Sequence, residues 1–245
     1  MKIFRVDTHI HTCLSPCGDW GMGPRDIIER SRENGLDIIA ICDHNTAENA
    51  GAVMRAGVAA GITVFPGMEI CSKEEVHVVA LFDTLETAQK MEAIVYAHLP
   101  GENQPAVWGE QIVADEANCV VGENQRLLIG ATSLDLYAIV EQIHSLDGLA
   151  IASHVDRPAF SIIGNLGFIP PDLPFDALEV SCRVPLSTAL DTVPGIRGYP
   201  LVTASDAHFI EDIGRAWFDA RMAAPTIAEL RQALRGTDGR GIVLH

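Results

Sequence analysis

The sequence predicts a β/α barrel with its functional groups gathered at one end. Two observations predict it. Apolar, strand-like runs alternate with helical patterns along most of the chain, and metal-ligand residue types recur where those runs end. The alternation implies a parallel α/β fold, either a barrel or an open sheet, and the placing of the polar residues chooses between them. In a barrel the C-terminal strand ends converge on one face, whereas an open sheet spreads them along an edge. The 245 residues suit one large domain with a sizeable core, and the whole chain, 1–245, is expected to form it.

Each element has its own justification. Residues 3–6 read as a strand, followed by a loop and a helix over about 24–34, with Pro24 in its first turn and Gly35 at its stop. Residues 36–42 form a near-continuous apolar run, the pattern of a strand buried on both faces. A helix over about 46–60 stops at Gly61, strands follow at 62–66 and 76–82, and 84–98 is helical in pattern. From Leu99 to Thr132 the rhythm breaks at Pro100, Gly101, Pro105, Gly109, Gly122 and Gly130. This stretch reads as an insertion or lid, in which 111–113 could pair with 126–129 as a hairpin. The alternation resumes with a helix over 134–146 and strands at 149–152, 177–180 and 201–204. A helix over 226–235, opened by a Thr226-x-x-Glu229 capping box, and a short strand at 242–244 complete it.

Composition narrows the function. Lys and Arg number 17 against 33 Asp and Glu, a formal charge of −16, and 48% of residues are hydrophobic, as in an ordinary globular protein. That charge argues against long nucleic acid, whose non-specific binding relies on Lys and Arg neutralising phosphates. It permits a phosphorylated substrate if metal ions supply the positive charge. The six cysteines, 13, 17, 42, 71, 119 and 182, show no dense pairing pattern and read as reduced thiols. The first residues do not read as a secretory signal, and no apolar run approaches the ~20 residues that span a bilayer. A cytoplasmic protein without membrane contact is expected.

The polar residues at the strand ends carry the chemistry. His9 and His11 end the first strand, Asp43 and His44 the second, and Glu69 follows the third. His77 stands at the start of the fourth run, His154 ends the fifth, and Asp206 and His208 end the strand at 201–204. Alternate residues of an extended chain point to the same side, so His9 with His11, or Asp206 with His208, can grip one ion. Imidazole and carboxylate together suit zinc, iron or manganese rather than calcium. Six His with Glu69 and Asp206 exceed one four-coordinate site, so two or three divalent ions are expected, with Glu69 able to bridge. A lone His-x-His recurs by chance, but six of the nine histidines fall at these positions. His98, His144 and His245 lie elsewhere and read as structural.

These motifs resemble a known family. Asp-Thr-His-Ile-His at 7–11, Ile-Cys-Asp-His at 41–44, Gly-Met-Glu-Ile at 67–70, His77, Ser-His at 153–154 and Ser-Asp-Ala-His at 205–208 are similar to the successive motifs of the PHP (polymerase and histidinol phosphatase) superfamily. The resemblance implies a distorted, TIM-like β/α barrel, usually of seven strands, with a trinuclear metal site that hydrolyses phosphate esters. It implies His9, His11, Glu69 and Asp206 on one ion, Glu69, His77 and His154 on a second, and His44 and His208 on a third. For the further donor to the third ion, counting forward from His11 points to Cys17 and counting back from Pro24 to Asp19. Asp19 is preferred because a carboxylate suits a hydrolytic manganese or iron site, with the zinc-favouring Cys17 as rival.

The expected reaction is attack by a metal-bound hydroxide held by Glu69, Asp206 and His208. Arg157, three residues beyond His154, is expected to hold phosphate, as an Arg near this position does in relatives, and Arg183 is a second candidate. Asp7 and Asp43 are expected to orient histidines from behind. Protonation of the leaving group is open to a metal-bound water or to His208. The expected substrate is a small phosphomonoester: a nucleotide, a bisphosphate or a histidinol-phosphate-like compound. The alternatives are a 3′-5′ exonuclease or phosphodiesterase on short oligonucleotides, an amidohydrolase and a non-catalytic metal-binding scaffold. The amidohydrolase would normally need a bridging Lys, and Lys2, Lys73 and Lys90 all lie away from strand ends.

Overall fold

The computed structural model describes residues 1–244, so His245 lies outside the described residues. Its main sheet has nine strands. In chain order they are β1 (Lys2–Ile10), β2 (Ile38–Ile41), β3 (Thr63–Cys71), β4 (His77–Leu81), β7 (Leu149–Ala152), β8 (Ala177–Ser181), β9 (Leu201–Ala204), β10 (Phe218–Met222) and β11 (Gly241–Leu244). The strands β5 (Ile112–Ala114) and β6 (Val120–Glu123) form a separate pair. The chief helices are α1 (Pro24–Glu33), α2 (Ala50–Ala60), α3 (Leu85–His98), α5 (Leu136–Ser145) and α8 (Ile227–Arg235). Shorter ones are α4 (Pro105–Trp108), α6 (Ile162–Leu166) and α7 (Leu186–Thr192).

Seven of the nine strands form the expected ring, in the order β1-β2-β3-β4-β7-β8-β9. It closes beyond β9, where Ile10 bridges Ala207: the His11 N–H donates to the Ala207 carbonyl at 3.0 Å and the Ala207 N–H to the His9 carbonyl at 3.3 Å. The same edge of β1, nearer its start from Lys2 to Val6, is taken by β10, which in turn carries β11, both antiparallel. The count is therefore nine rather than seven, because β1 is long enough to serve two neighbours along one edge.

The ring is also not wholly parallel. β4 runs antiparallel to both β3 and β7. Only residues 72–76 connect β3 to β4, too few for the crossover a parallel pair needs. This reversal puts the start of β4 beside the end of β3, with Cys71 opposite His77. His77 thus reaches the same end of the barrel as donors that follow their strands.

Alternation along the strands splits the core in two. Val6, Ile38, Ala40, Phe65, Val79 and Ile151 belong to one cluster, together with Ile227, Leu230 and Ala233 of α8. Their strand neighbours Ile39, Ile41, Val78 and Ala150 belong to the other, packed with α1, α2, α3 and α5. At ~25 cal/mol per Å² of buried apolar surface, this double packing is the main stabiliser of the sheet.

The 99–132 segment departs from its expected pairing. Residues 112–114 pair with 120–123, not with 126–129, and Arg126 makes only an isolated bridge to Glu102. The nearer partner wins because Asp115 makes a tight turn, its carboxylate accepting the N–H groups of Ala117 and Cys119 at 2.9 and 2.8 Å. Buried Asn45 fastens the segment to the barrel, its Nδ2 donating to the carbonyls of Leu128 and Gly130 at 2.7 and 2.8 Å. No helix among the described residues is long and apolar enough to cross a membrane.

Candidate metal centre

Strand geometry delivers the donors to one end of the barrel. His9 and His11 are fully buried, and their Nε2 atoms lie 3.1 Å apart. Glu69, near the end of β3 and 1% exposed, is the hub. Its Oε1 lies 3.4 Å from His9 Nε2, 3.1 Å from His77 Nδ1 and 3.2 Å from His154 Nε2. Its Oε2 lies 3.1 Å from His44 Nδ1 and 3.6 Å from His11 Nε2. Asp206 adds a second carboxylate, with Oδ1 at 3.4 Å from both His9 and His11 Nε2 and 3.7 Å from His208 Nδ1. Three overlapping triplets have donor atoms within 4.8 Å of one another: His11, His44 and His208; His9, His11 and Asp206; His44, Glu69 and His77. Two of the assembled residues, His154 and Asp206, hold left-handed backbone at φ 29° and 48°. Such conformations cost energy and persist where surrounding contacts enforce them.

The electrostatics follow from crowding charges without water. Burial would raise the Glu69 carboxyl, but His77, His9, His154 and His44 hold it well below the usual carboxylate range. Burial likewise opposes ionisation of Asp206, and His9 and His11 overcome it. Burial opposes a proton on His9, yet Glu179, Glu69 and Asp206 carry its pKa well above the usual imidazole value. His11 goes the other way, pushed well below that value by burial and by the neighbouring ring of His208.

The centre fits divalent ions on its own geometry. Glu69 Oε1 and His77 Nδ1, 3.1 Å apart, are buried without a hydrogen-bond partner. Leaving such atoms unmade costs about 1–3 kcal/mol each, more when charged, so a protein keeps them only with a compensating role. Nε2 atoms of two imidazoles facing each other also need a proton or a cation between them. Imidazole with carboxylate is a donor set for zinc, iron or manganese.

The structure brings most of the expected residues together, and Asp19 is the exception. Asp19 is exposed, its carboxylate accepts the Gly21 N–H at 2.7 Å, and it builds a turn instead of joining the cluster. Cys17 takes that place, with Sγ 3.2 Å from His44 Nε2. Burial would raise this thiol, but His44 and His208 outweigh it and bring its pKa down to about 6. Cys17 is itself exposed, in a loop that doubles back tightly: the Gly18 N–H donates to the Ser15 carbonyl at 2.8 Å, and a Cβ at Gly18 would run into the Thr12 carbonyl.

Both arginines line a cavity of about 380 Å³ over the cluster, beside Cys17, His44 and Glu69. Arg157 pairs with Asp206, Nη2 to Oδ2 at 2.5 Å, and Arg183 is exposed. Phe160 forms part of the wall, 45% exposed and stacked on His77 with ring centroids 4.9 Å apart. Ile129 of the inserted segment lies on the same wall. Lys73 and Lys90 pair with Asp135 and Glu86, and exposed Lys2 opens β1, so no lysine lines this cavity.

Of the expected supporting acids, Asp7 departs from expectation and Asp43 backs a histidine at one remove. Asp7 holds backbone rather than an imidazole, accepting N–H groups from Ser205, Gly214 and His9 at 3.0, 3.2 and 3.4 Å, and burial lifts its pKa to about 6. Asp43 acts through Ser15, whose hydroxyl donates to it at 2.7 Å and lies 2.9 Å from His11 Nδ1. Glu179 of β8 escaped the sequence reading. It is 1% exposed, with Oε2 2.9 Å from His9 Nδ1. An acid inside the apolar run Leu-Glu-Val was the signal that could have found it.

Comparison with known proteins now decides the family. A model described as the PHP domain matches residues 7–159, and one described as PHP-associated matches 196–237. The chain belongs to the PHP domain family. As a PHP-domain protein it is a metal-dependent hydrolase of phosphoester bonds. The 5′-3′ exoribonuclease of Haemophilus influenzae is 24% identical, with 61% of this chain and 68% of that protein covered. The lesion-specific endonuclease EndoQ from Pyrococcus furiosus has a similar fold, with TM-score 0.68 at 18% identity over 98% of this chain, which spans 58% of that one. An amidohydrolase from Chromobacterium violaceum gives TM-score 0.56 at 18% identity, with 98% of this chain and 97% of that one covered. At these identities the structural likenesses speak to the fold alone.

Proposed function

We propose that this PHP-domain protein hydrolyses a small phosphomonoester, using two or three divalent ions of zinc, manganese or iron. The observation that carries the reading is the convergence of five imidazoles on Glu69 while its Oε1 lacks a hydrogen bond. His9, His11, Glu69 and Asp206 would hold one ion, Glu69, His77 and His154 a second, and Cys17, His44 and His208 a third. When bound, such ions supply Lewis acidity, generating a hydroxide nucleophile near neutral pH and neutralising phosphoryl charge.

The chain's own residues bind and orient the substrate. Arg157 and Arg183 present guanidinium groups that match phosphoryl oxygens in a two-point fork. Asp206 keeps Arg157 in the cavity, and Asp43 with Ser15 fixes the ring of His11. A cavity near 380 Å³ is of small-molecule size, and its floor of buried donors favours a terminal phosphate over an internal linkage of a duplex. Phe160 and Ile129 give the organic part of the substrate an apolar wall. The −16 charge leaves little to attract a long nucleic acid.

A second reading is exonucleolytic removal of a nucleotide from a short single strand, favoured by the name of the Haemophilus influenzae relative. One assay separates the two: phosphate release from phosphomonoesters, nucleotides and bisphosphates by Mn²⁺-reconstituted protein, beside labelled oligoribonucleotides and a His9→Ala control. Selective phosphate release that vanishes in the control is expected. Oligonucleotide shortening without phosphate release would transfer the assignment to the exonuclease reading, and no turnover on either would overturn both.

A further inference from the structure

Glu179 is a carboxylate with almost no contact with water, lying behind the metal centre rather than in it. Its Oε2 meets His9 at Nδ1, 2.9 Å away, on the ring edge opposite the Nε2 that faces Glu69, Asp206 and His11. Its Oε1 accepts the backbone N–H of His154 at 3.2 Å, and its own carbonyl accepts the N–H of Val155 at 2.8 Å. One residue of β8 therefore grips a ring from β1 and the left-handed turn that carries His154. A buried carboxylate is retained only when its oxygens are well paired, and both of these are spent on groups that carry donors.

We propose that Glu179 is the positioning residue of this centre: it fixes His9 with the proton on Nδ1 and the Nε2 lone pair toward the metal, and it holds His154 in register with it. A carboxylate behind a ligating imidazole sets the ring's tautomer and orientation and raises its basicity. The neighbouring His11 receives the same service at one remove, from Asp43 through the Ser15 hydroxyl. The two rings of the His-x-His pair are thus backed unequally, directly by a charge and indirectly through a hydroxyl.

The proposal rests on His9 being a metal ligand, so its test measures binding as well as turnover. Zn²⁺ affinity is read by competition with a chelator for wild type, Glu179→Gln, Glu179→Asp and Ser15→Ala, with thermal melts in chelator to check folding. Glu179→Gln keeps one acceptor for His9 but can set an NH₂ against the His154 N–H. It is expected to bind Zn²⁺ about 10–100-fold more weakly than wild type, with a smaller loss in Ser15→Ala and partial rescue in Glu179→Asp. Wild-type affinity in folded Glu179→Gln overturns the proposal. A second measurement needs no variant: ¹⁵N imidazole shifts of Zn²⁺-loaded wild type should show His9 protonated at Nδ1 and metallated at Nε2. The opposite tautomer overturns the proposal even if every variant fails to fold. Absence of Zn²⁺ binding by wild type removes the ligand reading itself, an outcome distinct from equal binding by wild type and variant.

Discussion

At the end of the barrel where β7 and β8 begin, Asp176 is surrounded by His144, Arg231 and Arg235; at the other end Glu69 is surrounded by five imidazoles. Glu69 is buried and Asp176 half-buried, and both are held to low pKa by cations against the pull of burial. Asp176 is complete. Its Oδ2 meets His144 Nε2 at 2.9 Å and the Ala150 N–H at 3.0 Å, its Oδ1 meets Arg231 at 3.4 Å, and Arg231 spends another nitrogen on the Gly148 carbonyl at 2.7 Å. Among the described residues, none of the side chains in that group leaves a buried polar atom unpaired, whereas Glu69, His77 and His154 each do. Proximity of His and carboxylate is common to a structural clamp and a metal centre. What separates them is that Glu69 Oε1 and His77 Nδ1 face each other at 3.1 Å with no hydrogen bond made, a pair that a shared cation would serve.

Matched substitutions at the two ends should break the molecule in different ways. Glu69→Gln is expected to lower phosphoester hydrolysis by at least about 10³-fold, the several kcal/mol that metal ions contribute to such reactions, together with loss of bound metal. Asp176→Asn should do the reverse: about 1–2 kcal/mol of stability lost, given its partly exposed partners, and turnover within about two-fold of wild type. Parallel melts and rate assays check the pair.

The next effect is the proton cost of loading. His9 and His44 sit well above the usual imidazole value, so both carry protons at pH 7 that ligation must displace. Metal affinity should therefore strengthen as pH rises through neutrality. Calorimetry in buffers of different ionisation enthalpy should show more than one proton released per protein molecule; zero release would contradict the assigned ligands.

Smaller effects sharpen the boundary of the centre. Cys17→Ala should weaken one ion by at least about 10-fold, the effect typical of perturbing a ligand's support, while Asp19→Ala stays within about two-fold. Equal losses would return Asp19 to the site. Arg157→Ala should cost about 10–100-fold in kcat/KM, mostly through KM, and Lys at 157 should restore little because it lacks the planar fork.

How much of this the sequence carries depends on the range of the interaction involved. The His9–His11 pair was legible because strand alternation is local, and Asp206 and His208 followed from spacing alone. His77 was found, but its strand's reversal was not drawn from the five-residue link at 72–76 that enforces it. β10 went unseen because Phe-Asp-Ala-Arg-Met alternates buried with half-exposed residues, the weak pattern of a strand with one wet face. Which of Cys17 and Asp19 lies beside His44 is a tertiary contact that counting along the chain does not register. Glu179 was passed over because its partner His9 lies 170 residues away.

The central claim is that the unsatisfied end of the barrel is a polynuclear metal centre built around Glu69. Metal-to-protein stoichiometry, measured by elemental analysis on protein purified without chelator, tests it most directly, with Glu69→Gln alongside. The account predicts two or three transition-metal ions per wild-type chain and at least one fewer in the variant. A wild-type chain that holds one ion or none, or a variant that keeps the full complement, would contradict it.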